Sequence, residues 1–478
     1  MPSTTDRHTP DLLARTRLAL QDDFLRAAVR FTADRLRDKK QSSSEELGHW
    51  EEWRERGRAI RAHTINHLDY YLKQFVDQGR QSGGHVHFAK DAGEAVASVM
   101  QIAREKKARS VVKSKSMVSE EIHINEHLIK SGIEVVETDL GEYIVQLAGE
   151  TPSHIIIPAI HKTREQIKTL FTNAGGEHLT TDTKVLAGFA RKTLREKFLK
   201  ADIGITGCNF GIAESGTVVL FTNEGNADMV TNLPKTHIVL MGMERILPSF
   251  ADLEVFANLL PRSATGQKLT TYMSMVTGPR RQGDRDGAES LHIIILDNGR
   301  SEQLGDPEYQ DILHCIRCGA CLNVCPVYRQ IGGHAYGSVY PGPIGAVLSP
   351  LLYQGKQYED LPFASSLCGA CYEACPVKIP IHDMLVRLRA RKVRSGHVAK
   401  AEQLAFRGYK MIFSHHRRYR LAIKTGRILQ ESMVQNGYIQ AGFGPLAGWT
   451  NSRYAPTLKA ESFRDRWESL SKTLKTKS

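Results

Sequence analysis

Apolar residues recur at three- and four-residue steps through the first 80 residues, and this spacing predicts helices. One such pattern runs over 12–38, LLARTRLALQDDFLRAAVRFTADRLRD, and contains neither Gly nor Pro. A second helix is predicted across Glu45–Gln78, with Trp50 and Trp53 as packing residues. The pattern therefore predicts an N-terminal helical region over residues 1–80.

From about Gly84 to Asn298 the pattern changes to short β-branched runs separated by helical segments. We predict strands at 110–115, 133–138, 154–158, 202–207, 216–222, 237–243 and 291–297. Helical patterns over 93–107, 120–131 and 184–199 lie between several of them. Apolar strands that alternate with helices are typical of an α/β layered domain with a largely parallel sheet.

A polar, turn-rich stretch at 297–307, DNGRSEQLGDP, marks a boundary. After it come a cysteine-rich region, a basic helical segment to about residue 435, a loop-like stretch over 437–456 and a short charged helix. We therefore predict a multidomain chain of the α/β + α class, divided as 1–80 (helical), 81–300 (α/β), 301–390 (cysteine-rich) and 391–478 (basic extension).

Composition and charge add three expectations. No run approaches the ~18 apolar residues of a membrane span, and the N-terminus lacks the pattern of a secretory signal, so we expect a cytoplasmic protein without a membrane span. The net charge of +12 is concentrated in 387–478, which carries 20 Lys and Arg against 5 Asp and Glu. An anionic lipid, an acidic partner and a solvated helix face all remain open as its role; nucleic acid is disfavoured because no binding motif accompanies the charge.

Seven of the eight cysteines lie between Cys315 and Cys375. The first run, Cys315-x2-Cys318-x2-Cys321-x3-Cys325-Pro326, has the bacterial ferredoxin spacing for a [4Fe–4S] cluster. A zinc ribbon shares the C-x2-C pair but does not explain three such spacings followed by Cys-Pro. The spacing predicts iron–sulfur chemistry.

The second run, Ser365-x2-Cys368-x2-Cys371-x3-Cys375-Pro376, has the same spacing with Ser in place of the first Cys. Crossed ligation, as in two-cluster ferredoxins, predicts two [4Fe–4S] clusters, for which the ligands are Cys315, Cys318, Cys321 and Cys375 (cluster 1) and Cys325, Cys368 and Cys371 (cluster 2). The fourth ligand of cluster 2 has three candidates: Ser365, Cys208, or no protein ligand, which would leave one iron open.

The chain resembles the lactate utilisation protein B family over nearly its whole length. The resemblance rests on KSKSMVSEEI (113–122), ETDLGEYIVQL (137–147), GITGCNFGIAESGTVVLFTNEGN (204–226), LPKTHIVLMGMERI (233–246), HAYGSVYPGPIGAV (334–347) and SSLCGACYEACPVKIPIH (365–382). It implies an α/β lactate-utilisation (LUD) domain, similar to sugar-phosphate isomerase and CoA transferase folds, followed by a helical two-cluster ferredoxin-type domain. It also implies the same seven cysteine ligands and makes Ser365 part of the family pattern.

The resemblance further implies oxidation of L-lactate to pyruvate together with companion lactate-utilisation subunits, with an unidentified electron acceptor. The stretch GITGCNFG lacks the spacing of a dinucleotide fingerprint, so we expect no dependence on NAD. The leading function is an oxidoreductase subunit of the L-lactate dehydrogenase type. The alternative is a non-catalytic electron-transfer or assembly subunit whose partner carries out the oxidation.

Candidate substrate residues come from the ends of predicted strands. The loop 207–217 offers polar side chains and glycines between two strands, and Lys113 and Lys115 could pair with a carboxylate. His161 follows another predicted strand and could act as a base. The candidate catalytic residues are Asn209, Glu214, Ser215, Thr217, His161, Lys113 and Lys115.

Overall fold

The computed structural model describes residues 11–353, 355–459 and 461–475. The chain forms two compact units, Met1–Arg391 and Lys392–Ser478. The division of the larger unit into three parts remains a prediction. Among the described residues, no helix has the length and apolar character needed to cross a membrane.

The helices of the described residues, in chain order, are α1 (Leu12–Gln21), α2 (Asp23–Leu47), α3 (Trp50–Asn66), α4 (Leu68–Gln81), α5 (Ala92–Glu105), α6 (Met117–Glu121), α7 (Ile124–Lys130), α8 (Leu140–Ala148), α9 (Arg164–Asn173), α10 (Thr183–Lys200), α11 (Asn226–Asn232), α12 (Phe250–Thr265), α13 (Arg300–Leu304), α14 (Ala320–Val324), α15 (Tyr328–Ile331), α16 (Gly342–Leu352), α17 (Ala370–Ala374), α18 (Ile381–Arg394), α19 (Lys400–Phe413), α20 (His416–Gln430), α21 (Pro445–Thr450) and α22 (Phe463–Lys475).

The strands, in the same order, are β1 (His85–Ala89), β2 (Ser110–Lys113), β3 (Glu134–Glu137), β4 (Ile203–Thr206), β5 (Phe210–Ile212), β6 (Thr217–Thr222), β7 (Thr236–Gly242), β8 (Ile246–Leu247), β9 (Tyr272–Val276), β10 (Ser290–Leu296), β11 (Val434–Gln435), β12 (Tyr438–Ile439) and β13 (Ala455–Pro456).

Residues 12–81 form four helices where the pattern predicted two. Asp22 ends the first early, because its side chain caps α2 by accepting a hydrogen bond from Leu25 N at 2.8 Å. Gly48, at φ 70°, separates α2 from α3, and His67 separates α3 from α4. α2 packs against both α12 and α14, so this region contacts the α/β part and the cysteine segment.

The centre of the larger unit is a six-stranded parallel sheet in the order β1-β10-β7-β4-β2-β3. Its central strands are apolar and buried, and they pack between helices on both faces. This confirms the predicted mixed α/β architecture with a parallel sheet. The order reverses between β2 and β4, because the chain leaves β2 towards β3 and leaves β4 towards β7. Ligands of such sheets bind beyond the carboxyl ends of the strands at this kind of reversal.

One strand prediction was wrong, and one predicted strand lies outside the parallel sheet. The run 216–222 forms β6, but it pairs antiparallel with β5 and β9 in a second sheet, of order β8-β5-β6-β9. The run 154–158 is a turn, because its N–H groups bond locally: Ile156 N and Ile157 N donate to His154 Nδ1 at 3.0 and 3.2 Å. Pro158 has no N–H to offer to a neighbouring strand.

The cysteine segment folds as short helices joined by turns, with α16 as the buried helix that the insert between the motifs predicted. The smaller unit contains the helices α19 to α22. The stretch 437–456, predicted to be loop-like, contributes β12, α21 and β13, and β11–β13 form a small antiparallel sheet.

Candidate functional site

A cavity of about 340 Å³ lies beyond the carboxyl ends of β2, β4 and β7. The segments 114–118, 207–209 and 220–224 line it, together with Arg245 and with Ile316–Arg317 from the first cysteine run. The cavity therefore occupies the position that the strand reversal between β2 and β4 predicts for a ligand. It also contacts the loop that carries Cys315 and Cys318.

The polar wall of this cavity is cationic. Lys115 Nζ is buried without a hydrogen-bond partner among the described residues, and its nearest carboxylate, Glu142 Oε1, is 3.8 Å away. Arg317 Nε and Nη1 are likewise buried and have no hydrogen-bond partner within the described residues. Buried donors without acceptors cost free energy unless a ligand satisfies them, so this wall is suited to an anion.

A buried ionic network holds the arginines in place. Glu244 Oε2 accepts from Arg300 Nε at 2.7 Å, and Glu244 Oε1 lies 3.4 Å from Arg317 Nη2 and 3.6 Å from Arg245 Nε. Arg300 makes a second, bidentate pair with Glu121, both distances being 2.8 Å. Although burial opposes ionisation, these arginines lower the pKa of Glu244 to about 2, so Glu244 is a carboxylate at neutral pH.

The cavity lining also includes two carboxyl groups, those of Glu224 and Asp139. Burial, followed by the neighbouring charge of Asp139, raises the pKa of Glu224 to about 7. Its Oε2 accepts a hydrogen bond from Leu140 N at 3.0 Å, which fixes the carboxyl group at the start of α8. A carboxyl group that titrates near neutral pH can both accept and release a proton under physiological conditions.

A second, apolar cavity adjoins the first and is lined by Cys315, Cys318, Cys321 and Cys375, with Arg317 shared between the two cavities. Burial and the neighbouring thiols of Cys375 and Cys315 raise the pKa of Cys318 to about 12. Backbone N–H groups point at the sulfurs: Arg317 N lies 3.4 Å from Cys315 Sγ, and Ile379 N lies 3.4 Å from Cys375 Sγ. Four converging sulfur donors in an apolar site with N–H···S contacts fit an iron–sulfur cluster.

The two cysteine runs have the same backbone shape. In each, the residue before the second cysteine position has a positive φ, 59° at Arg317 and 55° at Leu367. The glycine after that cysteine, Gly319 or Gly369, is also left-handed, with φ of 74° and 81°, and begins α14 or α17. The sequence motif CGAC therefore produces the same tight turn twice.

Cys325, Cys368 and Cys371 form the other thiol group. Burial and the neighbouring Cys325 and Cys368 raise the pKa of Cys371 to about 12. Cys368 is exposed, whereas Cys325 and Cys371 are buried. Of the fourth-ligand candidates, Ser365 lies in the same turn as Cys368, where its Oγ accepts from Leu367 N at 3.1 Å.

Cys208 instead lines the larger cavity beside Arg245 and Glu244, and burial raises its pKa to about 12. The question of the fourth ligand remains open between Ser365, Cys208 and an open position.

Among the candidate catalytic residues, Asn209 and Lys115 line the larger cavity. Lys113 does not line this cavity: it is the buried last residue of β2 and pairs with Glu120 at 2.6 Å and with Glu137 at 2.7 Å. His161 lies in another cluster, where its Nε2 contacts Glu150 Oε2 at 2.6 Å beside the ring of His334.

The remaining three candidates belong to the β5–β6 hairpin. Glu214 Oε1 accepts from Phe250 N at 2.7 Å, at the start of α12. Ser215, Thr217 and Thr277 join their hydroxyls at 2.7 and 3.0 Å.

Sequence reasoning missed Arg245 and Arg317. Arg245 lies just beyond the strand β7. The charged pair Glu244 and Arg245, directly after the apolar run 237–243, was therefore a signal that the sequence contained. Arg317 stands between two cysteines and looked like a spacer in a ligand motif. Only the packing of the cysteine loop against the end of the sheet brings it into the cavity.

Three family models match this chain: a LUD domain over residues 72–296, a 4Fe-4S dicluster domain over 311–379 and a lactate utilisation protein B C-terminal domain over 388–472. The protein "Lactate utilization protein B" of Shouchella clausii is 50% identical over 459 residues, which cover 96% of each chain. That of Geobacillus thermodenitrificans is 53% identical over 448 residues, covering 93% of this chain and 94% of the relative.

The chain belongs to the lactate utilisation protein B family. The resemblance drawn from the sequence is confirmed, as are the LUD domain and the iron–sulfur character. Among solved structures, a DUF162 family protein from Deinococcus radiodurans aligns at 15% identity with a TM-score of 0.27, covering 48% of this chain and 98% of that chain.

Proposed function

We propose that this member of the lactate utilisation protein B family is the iron–sulfur subunit of an L-lactate-oxidising system that yields pyruvate. Electrons leave through two [4Fe–4S] clusters to an acceptor that remains to be identified, and companion subunits complete the system. One observation carries the proposal: the cationic cavity and the four-cysteine cavity share Ile155, Ile316 and Arg317 among their lining residues.

The cofactor ligands in this proposal are Cys315, Cys318, Cys321 and Cys375 for cluster 1, and Cys325, Cys368 and Cys371 for cluster 2. When bound, each cluster supplies a site that accepts one electron at a time. The N–H groups that point at Cys315 Sγ and Cys375 Sγ stabilise thiolate charge there. A helical ferredoxin-type arrangement of this segment belongs to the same proposal.

Substrate recognition in the larger cavity follows from the buried N–H donors of Lys115 and Arg317 that have no hydrogen-bond acceptor among the described residues. Lys115 Nζ and the free N–H groups of Arg317 would donate to the lactate carboxylate, because hydrogen bonds to charged groups contribute about 1.5–3 kcal/mol each. Arg245 also lines the cavity and adds positive potential, with Glu244 Oε1 3.6 Å from its Nε. Asn209 lines the same cavity.

Oxidation of a 2-hydroxy acid to a 2-oxo acid breaks the O–H bond and the C–H bond at the hydroxyl-bearing carbon and releases two electrons and two protons. The two clusters, when bound, would take one electron each, and the proton from the C–H bond would pass to solvent. Glu224 is the group suited to take the hydroxyl proton, because it lines the cavity and its pKa is raised to about 7. The negative charge of Asp139 contributes to the raised pKa of Glu224 and so makes Glu224 a stronger base. The Asp139 side chain is itself fixed, because it caps α8.

A second function is favoured by the exposure of Cys368. Because Cys368 is exposed, a cluster held by Cys325, Cys368 and Cys371 would lie near the surface and would be suited to exchange electrons with another protein. The chain would then serve as an electron-transfer or assembly subunit whose partner oxidises lactate. The two functions differ in whether the isolated chain reacts with lactate.

The test is lactate-dependent bleaching of the visible absorbance of the anaerobically purified chain. The proposal expects bleaching without partners, and it expects Lys115→Met to raise the half-saturating lactate concentration by about 10- to 100-fold. Lys184→Met, on the exposed face of α10, is the matched control and should leave it unchanged. Bleaching only after companion subunits are added would support the second function, and no bleaching under either condition would reject both.

A further inference from the structure

The smaller unit combines positive charge with exposed apolar side chains. Of the chain's 64 Lys and Arg, 17 lie in Lys392–Ser478, against 5 of its 52 Asp and Glu, so this unit carries the entire net charge of +12. The larger unit is electrically balanced. A charge imbalance confined to one unit gives it a field that attracts anionic surfaces.

The final helix, α22, carries an apolar stripe. Phe463, Trp467, Leu470 and Leu474 follow one another at steps of four, three and four, which places them on one face of a helix. All four are between 40% and 71% exposed, so the described part of the unit does not cover this face. Arg464 and Lys472 occupy other faces of the same helix.

The helix α19 shows the same combination of exposed apolar and basic side chains. On α19, Leu404, Phe406 and Met411 are all more than half exposed, and the exposed cations Arg407 and Lys410 lie between or beside them in sequence. None of the residues of α19 is buried.

The segment that contains α21 shows the same mixture. Phe443 and Trp449 are exposed, and the Arg453 guanidinium stacks over the Trp449 ring at 4.5 Å. Aromatic rings combined with basic side chains are typical of the boundary between lipid headgroups and acyl chains.

We propose that the unit Lys392–Ser478 binds the surface of an anionic lipid bilayer. The exposed apolar side chains are distributed over α19, α21 and α22, and on α22 they lie on a face separate from Arg464 and Lys472. A protein interface has a core depleted of charge, whereas surface-bound helices combine Lys and Arg on one face with Trp, Phe and Leu on the other. A second copy of this chain is disfavoured, because two units of +12 repel.

The experiment is flotation of the full cluster-bearing chain with vesicles, in the absence of oxygen. We expect binding to phosphatidylcholine vesicles that contain phosphatidylglycerol and at least about tenfold weaker binding to phosphatidylcholine alone. Raising the ionic strength should weaken the binding, since the attraction decays within a Debye length.

Two variants separate charge from apolar insertion. The charge variant replaces Arg407, Lys410, Arg417 and Lys424 with Gln, and its binding should be at least about tenfold weaker, since each cation near an anionic surface contributes about fivefold. The apolar variant, Phe463→Ser with Trp467→Ser, should weaken binding while leaving the salt dependence in place. All six side chains are exposed, so folding should be retained.

A matched control carries the same charge change on the larger unit. It replaces Lys184, Arg191, Lys192 and Arg195, all exposed on α10, with Gln. We expect its binding to equal that of the unchanged chain. Equal binding to both lipid compositions, or equal losses in the charge variant and this control, would overturn the proposal. An absence of binding to the anionic vesicles would also overturn it. Loss of companion-subunit binding in the charge variant would then assign the surface to a protein partner.

Discussion

Glu224 is the side chain of the large cavity whose protonation changes near neutral pH. Burial and Asp139 raise its pKa to about 7, so the fraction present as carboxylate increases as the pH rises through that value. A group that takes the hydroxyl proton must be deprotonated before the reaction.

We therefore expect the rate of lactate-dependent bleaching to increase with pH up to about 7 and then to level off. Glu224→Gln should reduce the rate by about 10²- to 10⁴-fold and abolish that inflection. Asp139→Asn keeps an N-cap residue for α8 but removes the neighbouring charge, so it should move the inflection to lower pH. An unchanged inflection in Glu224→Gln would assign the titration to another group.

Lys113 and Lys115 show what the sequence can and cannot predict at the scale of single residues. Both stand at the end of the same predicted strand, and the sequence gives no reason to separate them. Lys113 is the last residue of β2 and is enclosed by Glu120 and Glu137, whereas Lys115 lies beyond the strand in the cavity wall. The carboxylates that enclose Lys113 come from α6 and β3. Only folding brings these two elements next to the end of β2, so the sequence could not separate the two lysines.

Among the elements, α3 connects the α/β part to the cysteine segment through arginines that donate to backbone carbonyls. Arg54 Nε bonds Cys375 O and Arg54 Nη2 bonds Tyr372 O, both at 2.9 Å. Arg61 is fully buried and bonds Ile246 O and Leu313 O at 2.8 Å, and also Glu244 O. The helix α3 thus supplies hydrogen-bond donors to backbone carbonyl groups of both the α/β part and the cysteine segment.

Replacement of Arg61 with Met should lower the free energy of unfolding by about 3–5 kcal/mol, because it leaves buried carbonyls without donors. Arg58, on the same helix, is partly exposed and pairs with Glu55. Arg58→Met is therefore the control and should cost about 1 kcal/mol or less. Denaturant unfolding followed by circular dichroism measures both, and similar losses in the two variants would contradict the role given to Arg61.

Elements with a clear hydrophobic period were predicted well, and the errors have local causes. The strands β2, β3, β4, β7 and β10 and the helix α16 are where the pattern placed them. The turn at 154–158 looks like a strand in composition, and the side chain of His154 overrides that preference by bonding the backbone. The sequence did not predict which sheet contains β6. Its pairing with β9, about 50 residues later, cannot be inferred from the local hydrophobic pattern of either strand.

At the scale of the whole molecule, the seven cysteines form two groups, and each group draws on both sequence runs. Ferredoxin-type spacing with crossed ligation predicts the same sets as cluster ligands, with Cys375 of the second run joining the first three thiols, and this ligand assignment stays a prediction. The cavity could not be predicted in the same way, because its walls come from four strand ends and from the cysteine loop.

We expect Cys375→Ala and Cys371→Ala each to lower the iron and acid-labile sulfide content by about half, since each removes a ligand of a different cluster. Cys208→Ala should leave the content unchanged if Cys208 serves only as a wall of the larger cavity. Metal and sulfide analysis of anaerobically purified chains measures this. Equal losses in Cys208→Ala and Cys371→Ala would instead make Cys208 the fourth ligand of cluster 2.

The four-cysteine cavity takes three thiols from the start of the segment 315–375 and one from its end. A metal centre that joins them would work as a cross-link, tying off a long loop that includes α15 and α16. Such a link removes conformational freedom from the unfolded chain, as a disulfide does. Cofactor delivery and the final compaction of this loop would then be one event, and a cell short of iron would accumulate chains that proteases can reach.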